Sequence, residues 1–251
     1  MAELTKEELE SLTKYRLILE RKTNGSIIEG IELLQQKQLA ALYDEILQNK
    51  LNTNKHSVIG SMLVKRYAFL AALVLYCMTS YDKGINSSIN NLSLQTDDDD
   101  PIWLPSFYFN DLVVTTPDPD RDSWRETVIT ALFKENITMI LSNVSKASKV
   151  SKSILWENIA IYIFWMYESL LEDEGISDEM KSKVKEDFSY VILHAPAEAF
   201  GLTNKNPLTM YFHEKKNNVR KRSTCCLFYF TSKNGDRCQT CPIECKQPMT
   251  Q

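Results

Sequence analysis

Five of the six cysteines in this 251-residue chain fall between Cys225 and Cys245. Thiols at that density either form disulfides or bind metal. The N-terminus, Met-Ala-Glu-Leu-Thr-Lys-Glu-Glu, has no basic start, apolar stretch and small-residue cleavage site of a secretory signal. A reducing compartment, and with it metal ligation, is therefore expected. Cys238-x-x-Cys241 has a chelating spacing, because two intervening residues let both thiolates turn towards one metal while nearby N–H groups point at the sulfurs. The contiguous pair Cys225-Cys226 narrows the kind of metal. Adjacent side chains of an extended segment point to opposite faces, and a structural zinc knuckle offers two pairs, each separated by two to four residues. One tetrahedral ion is served awkwardly by such a set. A binuclear cluster is larger and accepts more unusual ligand directions. Cys77 stands apart in an apolar run and reads as a small buried hydrophobe.

Little else in the sequence offers chemistry. His56, His194 and His213 are scattered, as structural or exposed histidines would be, and no hydrolase motif is present. Asp97 to Asp100 form an acidic run, but no glycine-containing loop of calcium-binding spacing surrounds them, so a solvated turn is expected. No Gly-rich dinucleotide loop follows a strand pattern. Tyr211, Phe212, Phe228, Tyr229 and Phe230 flank the cysteines in sequence, and core packing is their expected role.

The chain reads Arg222-Ser223-Thr224-Cys225-Cys226-Leu227-Phe228-Tyr229-Phe230 and, after eleven residues from Leu227 to Arg237, Cys238-Gln239-Thr240-Cys241-Pro242. This resembles the C-terminal pattern of the FhuF-like siderophore-iron reductases: Cys-Cys, about ten residues, Cys, two residues, Cys. The extra residue falls most simply in the Ser232-Lys233-Asn234-Gly235-Asp236 turn, where loops absorb length. A second stretch, Leu155-Trp156-Glu157-Asn158, resembles that family's Leu-Trp-Gly-Asn, with Glu157 in place of the glycine.

The resemblance implies a [2Fe-2S] cluster on Cys225, Cys226, Cys238 and Cys241, with Cys245 matching no family ligand and free to be a spare or substitute thiolate. It implies a ferric-siderophore substrate, one-electron reduction with release of Fe(II), and a separate electron donor of ferredoxin or flavodoxin type. Arg220, Lys221, Arg222 and Arg237 lie near these cysteines in sequence, where they would favour the more negative reduced cluster and attract an anionic chelate. Arg220, Arg222, Trp156 and Asn158 are accordingly expected to contact substrate; a solvated basic strand and an apolar helix anchor are the plainer readings. Two other functions stay open on sequence grounds: a zinc-stapled helical interaction protein, and an iron–sulfur sensor that reduces no chelate.

These residues need elements to hold them. Thr5-x-x-Glu8 is a capping-box pattern, and Leu9, Leu12, Tyr15, Leu17 and Leu19 predict a helix to about Lys22. After Asn24-Gly25 a second helix is predicted to end near Lys50, and a third to run from Ser57 to Ser80. Leu92-Ser93-Leu94 and Ile102-Trp103-Leu104 predict a hairpin. Thr116 to Asp120 reads as a linker, and Ser123-x-x-Glu126 as the cap of a helix to Val144. Helices from Ser153 to Glu172, apolar nearly all round, and from Ser177 to Leu193 complete the body, and an Arg-rich strand leads into the cysteines.

The expected class is α+β, mainly α-helical. The expected division is 1–115, a helical part with the hairpin; 116–212, a helical core part; and 213–251, the cluster-binding segment, all three able to join in one compact domain. Scarce glycine, 7 residues, and 43% hydrophobic content fit a folded, helix-rich chain. From His213 onward eight Lys or Arg face three Asp or Glu, a balance of +5 in a chain of net charge −4, which leaves −9 on the first 212 residues. That balance argues against bulk nucleic-acid binding and makes the tail an electrostatic unit of its own. The most apolar run, Tyr67 to Met78, is shorter than the roughly 18 to 20 residues that span a bilayer. A cytoplasmic protein without a membrane span is expected.

Overall fold

The computed structural model describes residues 2–97, 100 and 102–243. Its first helix, α1 (Lys6–Leu12), opens on the predicted capping box: the Thr5 hydroxyl accepts the Glu8 N–H, and the Glu8 carboxylate accepts the Thr5 N–H. It ends at Leu12, not near Lys22. Thr13–Tyr15 tighten into a 3-10 turn and Arg16 adopts a left-handed φ of 75°. Beyond it Leu17 runs beside Phe107, with the Ile18 N–H donating to the Phe107 carbonyl. Tyr15 and Leu17 are both buried although two apart, which is strand spacing, and Leu19, which completed the helical pattern, is half exposed.

The first arm of the expected hairpin is β3 (Leu92–Gln95), but its partner is β4 (Ser106–Phe109) rather than Ile102–Leu104, which form no strand; the two pair antiparallel from Leu92↔Phe109 to Gln95↔Ser106. A strand the sequence reading assigned to a helix start, β1 (Ile27–Glu29), adds to the other edge of β3, so the sheet order is β1-β3-β4. A two-stranded ribbon joins β2 (Gly84–Ile85) to β5 (Val114–Thr115). The second predicted helix survives as a chain of shorter turns. A 3-10 turn at Gly30–Leu34 precedes α2 (Gln36–Ala41), a wide π turn at Leu42–Leu47, and α3 (Gln48–Lys50).

The long helices follow the sequence closely. α4 (His56–Tyr81) and α7 (Lys152–Glu172) pack along each other as the central pair. Between them, α5 (Arg121–Leu132) continues through a π turn at Phe133–Ile137 into α6 (Thr138–Ser148). Asp120, rather than Ser123, caps α5, its carboxylate accepting the Asp122 and Ser123 N–H groups. α8 (Asp178–Ser189), capped by Ser177, runs into another π turn at Tyr190–His194 before Pro196. Helix makes up 56% of the residues, so the class is α+β and mainly helical. Buried residues from Leu12 to Cys226 form one hydrophobic cluster that crosses the expected boundaries at 115 and 212. α4 is the one helix among the described residues long and apolar enough to cross a membrane, and 83% of its most apolar stretch is buried inside the protein.

The tail departs most from expectation. Among its described residues there is no strand, only an isolated bridge between Lys216 and Val219 and a 3-10 turn at Phe228–Phe230. Leu227, directly after the contiguous cysteines, takes a left-handed φ of 65° and turns the chain, which a strand could not do. Cys245 and the residues from 244 onward lie outside the described residues, as do Asp98, Asp99 and Pro101 of the acidic run.

Candidate metal centre

The turn at Leu227 folds the two cysteine segments against each other. The Arg222 N–H donates to the Thr240 carbonyl at 2.8 Å, and the Cys241 N–H to the Cys238 carbonyl at 2.9 Å. One sulfur pair meets across the two segments: Cys226 Sγ lies 3.5 Å from Cys238 Sγ. Two thiolates on one tetrahedral metal, with bonds of about 2.3 Å, sit about 3.8 Å apart, close to the Cys226–Cys238 separation. Among the described residues no three His, Cys, Asp or Glu side chains converge on one ion. Cys226 and Cys238 thus form one close dithiol, at the separation two ligands of a single metal atom would take.

Cys226 is buried, while Cys225, Cys238 and Cys241 are partly exposed, so the site opens to solvent on one side. The contact with Cys238, helped by the Lys65 and Arg222 cations, pulls the Cys226 thiol well below the ordinary thiol range. The same contact, with burial, pushes Cys238 up: the pair shares one proton. Burial also raises Cys225. Lys65 Nζ lies 3.8 Å from Cys226 Sγ, and Arg237 Nη1 3.8 Å from Cys241 Sγ. Both cations stabilise negative charge on the sulfurs.

The central helix pair positions the contiguous cysteines. On α4, Ser61 and Lys65 share a face one turn apart. Ser61 Oγ donates to the Cys226 carbonyl at 2.7 Å, and the Asn158 amide of α7 donates to the Ser61 carbonyl and hydroxyl. Next to Asn158, the buried Glu157 carboxylate receives the N–H groups of Ser223 (2.6 Å) and Thr224 (2.8 Å) and the Thr224 hydroxyl, with Arg222 Nε 3.5 Å away. Three turns further along α7, Glu168 binds Arg220 and, at 2.9 Å, Lys215. The Arg220 guanidinium also stacks 4.3 Å from the Phe212 ring centre.

The structure places the four residues expected at substrate as follows. Arg220 and Arg222 are almost fully buried and paired with Glu168 and Glu157, so their charges help hold the tail on α7, and Arg220 also lines the groove beside Gln239 and Thr240. Asn158 is fully buried and acts through Ser61. Trp156 is 6% exposed and packs against Phe133 and Phe200, away from the sulfurs' contacts. Lys221 is exposed, and Arg237 alone of the four expected cations reaches a cysteine sulfur directly. His213 bonds Ser223, His56 bonds Asp44, and Cys77 is buried in α4 with its thiol pushed up by burial. The sequence reading missed Ser61, Lys65 and Glu157. Only Glu157 carried a signal, as a carboxylate in an otherwise apolar helix start.

A groove of about 270 Å³ lies beside the Cys238–Cys241 loop, walled by Gln239 and Thr240 and floored by Phe164 and the half-exposed Trp165. Its charges balance, Glu168 and Glu172 against Lys215 and Arg220. Two family models match the chain. One, described as "Ferric iron reductase FhuF-like transporter", covers residues 61–219. The other, described as "FhuF 2Fe-2S C-terminal domain", covers residues 222–242 and takes in both cysteine pairs. No curated protein matches.

Proposed function

Since the chain belongs to the FhuF-like ferric iron reductase family and carries its [2Fe-2S] C-terminal domain, we propose that Cys225, Cys226, Cys238 and Cys241 hold the cluster. Through it, a siderophore-bound Fe(III) receives one electron. The observation that carries this reading is the meeting of the two cysteine segments, which brings Cys226 Sγ to 3.5 Å from Cys238 Sγ. The donor set fits the group. Thiolates are the ligands such clusters take, and Lys65 and Arg237 beside the sulfurs offset part of the anionic charge.

When bound, the cluster supplies a one-electron carrier whose potential responds to nearby charge and hydrogen bonds. The chain's residues do the rest. Lys65 and Arg237 favour the more negative reduced form, and the Glu157 and Ser61 contacts fix the peptide that bears Cys225 and Cys226. A siderophore grips Fe(III) through hard oxygen donors and Fe(II) far more weakly, so adding one electron releases the metal. No bond to carbon forms or breaks, and neither a nucleophile nor a general base is required. The groove at Gln239 and Thr240 gives a chelate a seat beside the ligand loop. Free thiols at five described cysteines suit a reducing, cytoplasmic setting. A separate one-electron donor protein, of ferredoxin or flavodoxin type, renews the reduced state.

The test is stopped-flow mixing of the anaerobically reduced protein with ferric chelates of hydroxamate, citrate and catecholate type, with a strong Fe(II) chelator present. Reoxidation of the visible spectrum in step with Fe(II) capture, one iron per electron, is expected for at least one class. A reduced protein that none of the chelates reoxidises refutes the reductase reading and leaves a sensor.

A further inference from the structure

We propose that a basic, aromatic face beside the cysteine pairs docks an acidic electron-donor protein; this rests on the reading above, which requires such a donor. The face is built by the 3-10 turn Phe228–Phe230, one residue beyond the contiguous cysteines. Each of its three rings carries a cation from a different part of the chain. Lys65 of α4 lies 4.8 Å from the Phe228 ring centre, Arg237 4.5 Å from Tyr229, and Lys55, just ahead of α4, 4.0 Å from Phe230.

Three observations say what this face meets. First, it is rich in cations. Lys55, Lys65 and Arg237 lie on its rings and the exposed Lys233 follows three residues after it, while the nearby acids are engaged, Asp236 by Ser232 and Asp44 by His56. The more deeply placed Arg220 and Arg222 are already neutralised by Glu168 and Glu157. Second, apolar surface lies among the cations: Phe230, under Lys55, is 36% exposed. Apolar surface ringed by charge is the usual make-up of a transient interface. Third, the same cations reach the ligand sulfurs, Lys65 at Cys226 and Arg237 at Cys241, both at 3.8 Å. A partner seated on them is therefore one side chain away from the proposed cluster.

Electron-transfer encounters sit at the small end of protein interfaces and draw their rate from opposite charge rather than from area. The face shares no residue with the groove at Gln239 and Thr240, so donor and chelate need not displace each other. On docking, one electron leaves the reduced donor and one enters the cysteine-held centre; no proton or covalent bond is transferred.

The test is calorimetric titration of the cluster-loaded protein with an acidic flavodoxin, in low salt and again in ~0.5 M salt. Wild type is compared with Lys55→Glu and Lys233→Glu, both exposed and neither in contact with a cysteine. Each reversal is expected to weaken binding about tenfold in low salt, with the difference gone in high salt. Equal affinity in wild type and both variants overturns the proposal, as does equally tight binding of the basic carrier cytochrome c. It is also overturned if the reversals spare flavodoxin and instead weaken binding of an anionic ferric catecholate. A red-brown protein indifferent to both reversals refutes the docking face alone, whereas a colourless, iron-free protein refutes the cluster.

Discussion

Glu157 shows how much of the centre rests on single side chains remote in sequence. Its carboxylate, 1% exposed, is the acceptor for three donors on Ser223 and Thr224 and the counter-charge to Arg222. Removing one partner of a buried ion pair leaves the other uncompensated, at a cost of about 3–5 kcal/mol. Glu157→Ala is therefore expected to lower the melting temperature and also to speed loss of iron to a chelator at temperatures well below melting. An iron-release rate equal to wild type would reduce Glu157 to an ordinary stabilising residue. The sequence marked this residue only as a glutamate where the resembled pattern has glycine. Its partners lie 66 and 67 residues away, beyond any local pattern. The pairing of Arg220 and Arg222 was hidden for a related reason: sequence shows charge, but carboxylates on a distant helix decide where that charge is held. The clustering of the cysteines was legible because their spacing is itself the signal. The approach of Cys226 to Cys238 was not, because the chain turns at the left-handed Leu227 between them.

Among the elements, α5 and α8 are fastened to α4 by a network centred on Asp187. Its fully buried carboxylate takes both Arg121 Nη groups at 2.9 and 2.8 Å and Arg125 Nη1 at 2.8 Å, while Arg121 Nε also reaches Asp82 at the end of α4. Burial alone would raise the Asp187 carboxyl, but the hydrogen bonds from Arg121 and Arg125 outweigh it and hold the group below its ordinary value. Its contribution is then complete above the unfolded value of about 3.9 and is lost as pH falls through the lower, folded value. Asp187→Asn is expected to cost about 3–5 kcal/mol near neutrality, and to flatten the acid limb of a stability profile measured by denaturant titration at stepped pH. A variant with an unchanged acid limb would assign that limb to other carboxylates. Because these bonds join α4, α5 and α8 and none reaches the cysteine segments, Asp187→Asn should not hasten iron loss below melting, which separates it from Glu157→Ala.

The same scale shows what patterning reveals. α4 and α7 begin and end within a residue or so of their predicted limits, because long apolar runs with clear starts leave little choice. β1 and the early end of α1 were not legible, because a few residues of extended chain gain meaning only from the strand they join. The tail strand failed because its N–H groups bond side chains such as Glu157 instead of a neighbouring strand.

Taken whole, the molecule is a helical body that grips a basic tail through two α7 carboxylates and an α4 serine, leaving the thiols partly open beside a cationic face and a charge-balanced groove. That plan makes the cluster the link between donor and chelate, and every functional expectation depends on four thiolates sharing two metal atoms. The most direct measurement is iron, acid-labile sulfide and zinc analysis of the anaerobically purified protein. It should be run alongside Cys225→Ala, Cys226→Ala, Cys238→Ala and Cys241→Ala, with Cys77→Ala as the control. The account predicts two irons and two sulfides per chain, lost in each of the four variants and kept in the control. One zinc per chain in place of iron, or unchanged iron and sulfide in any of the four variants, would contradict it.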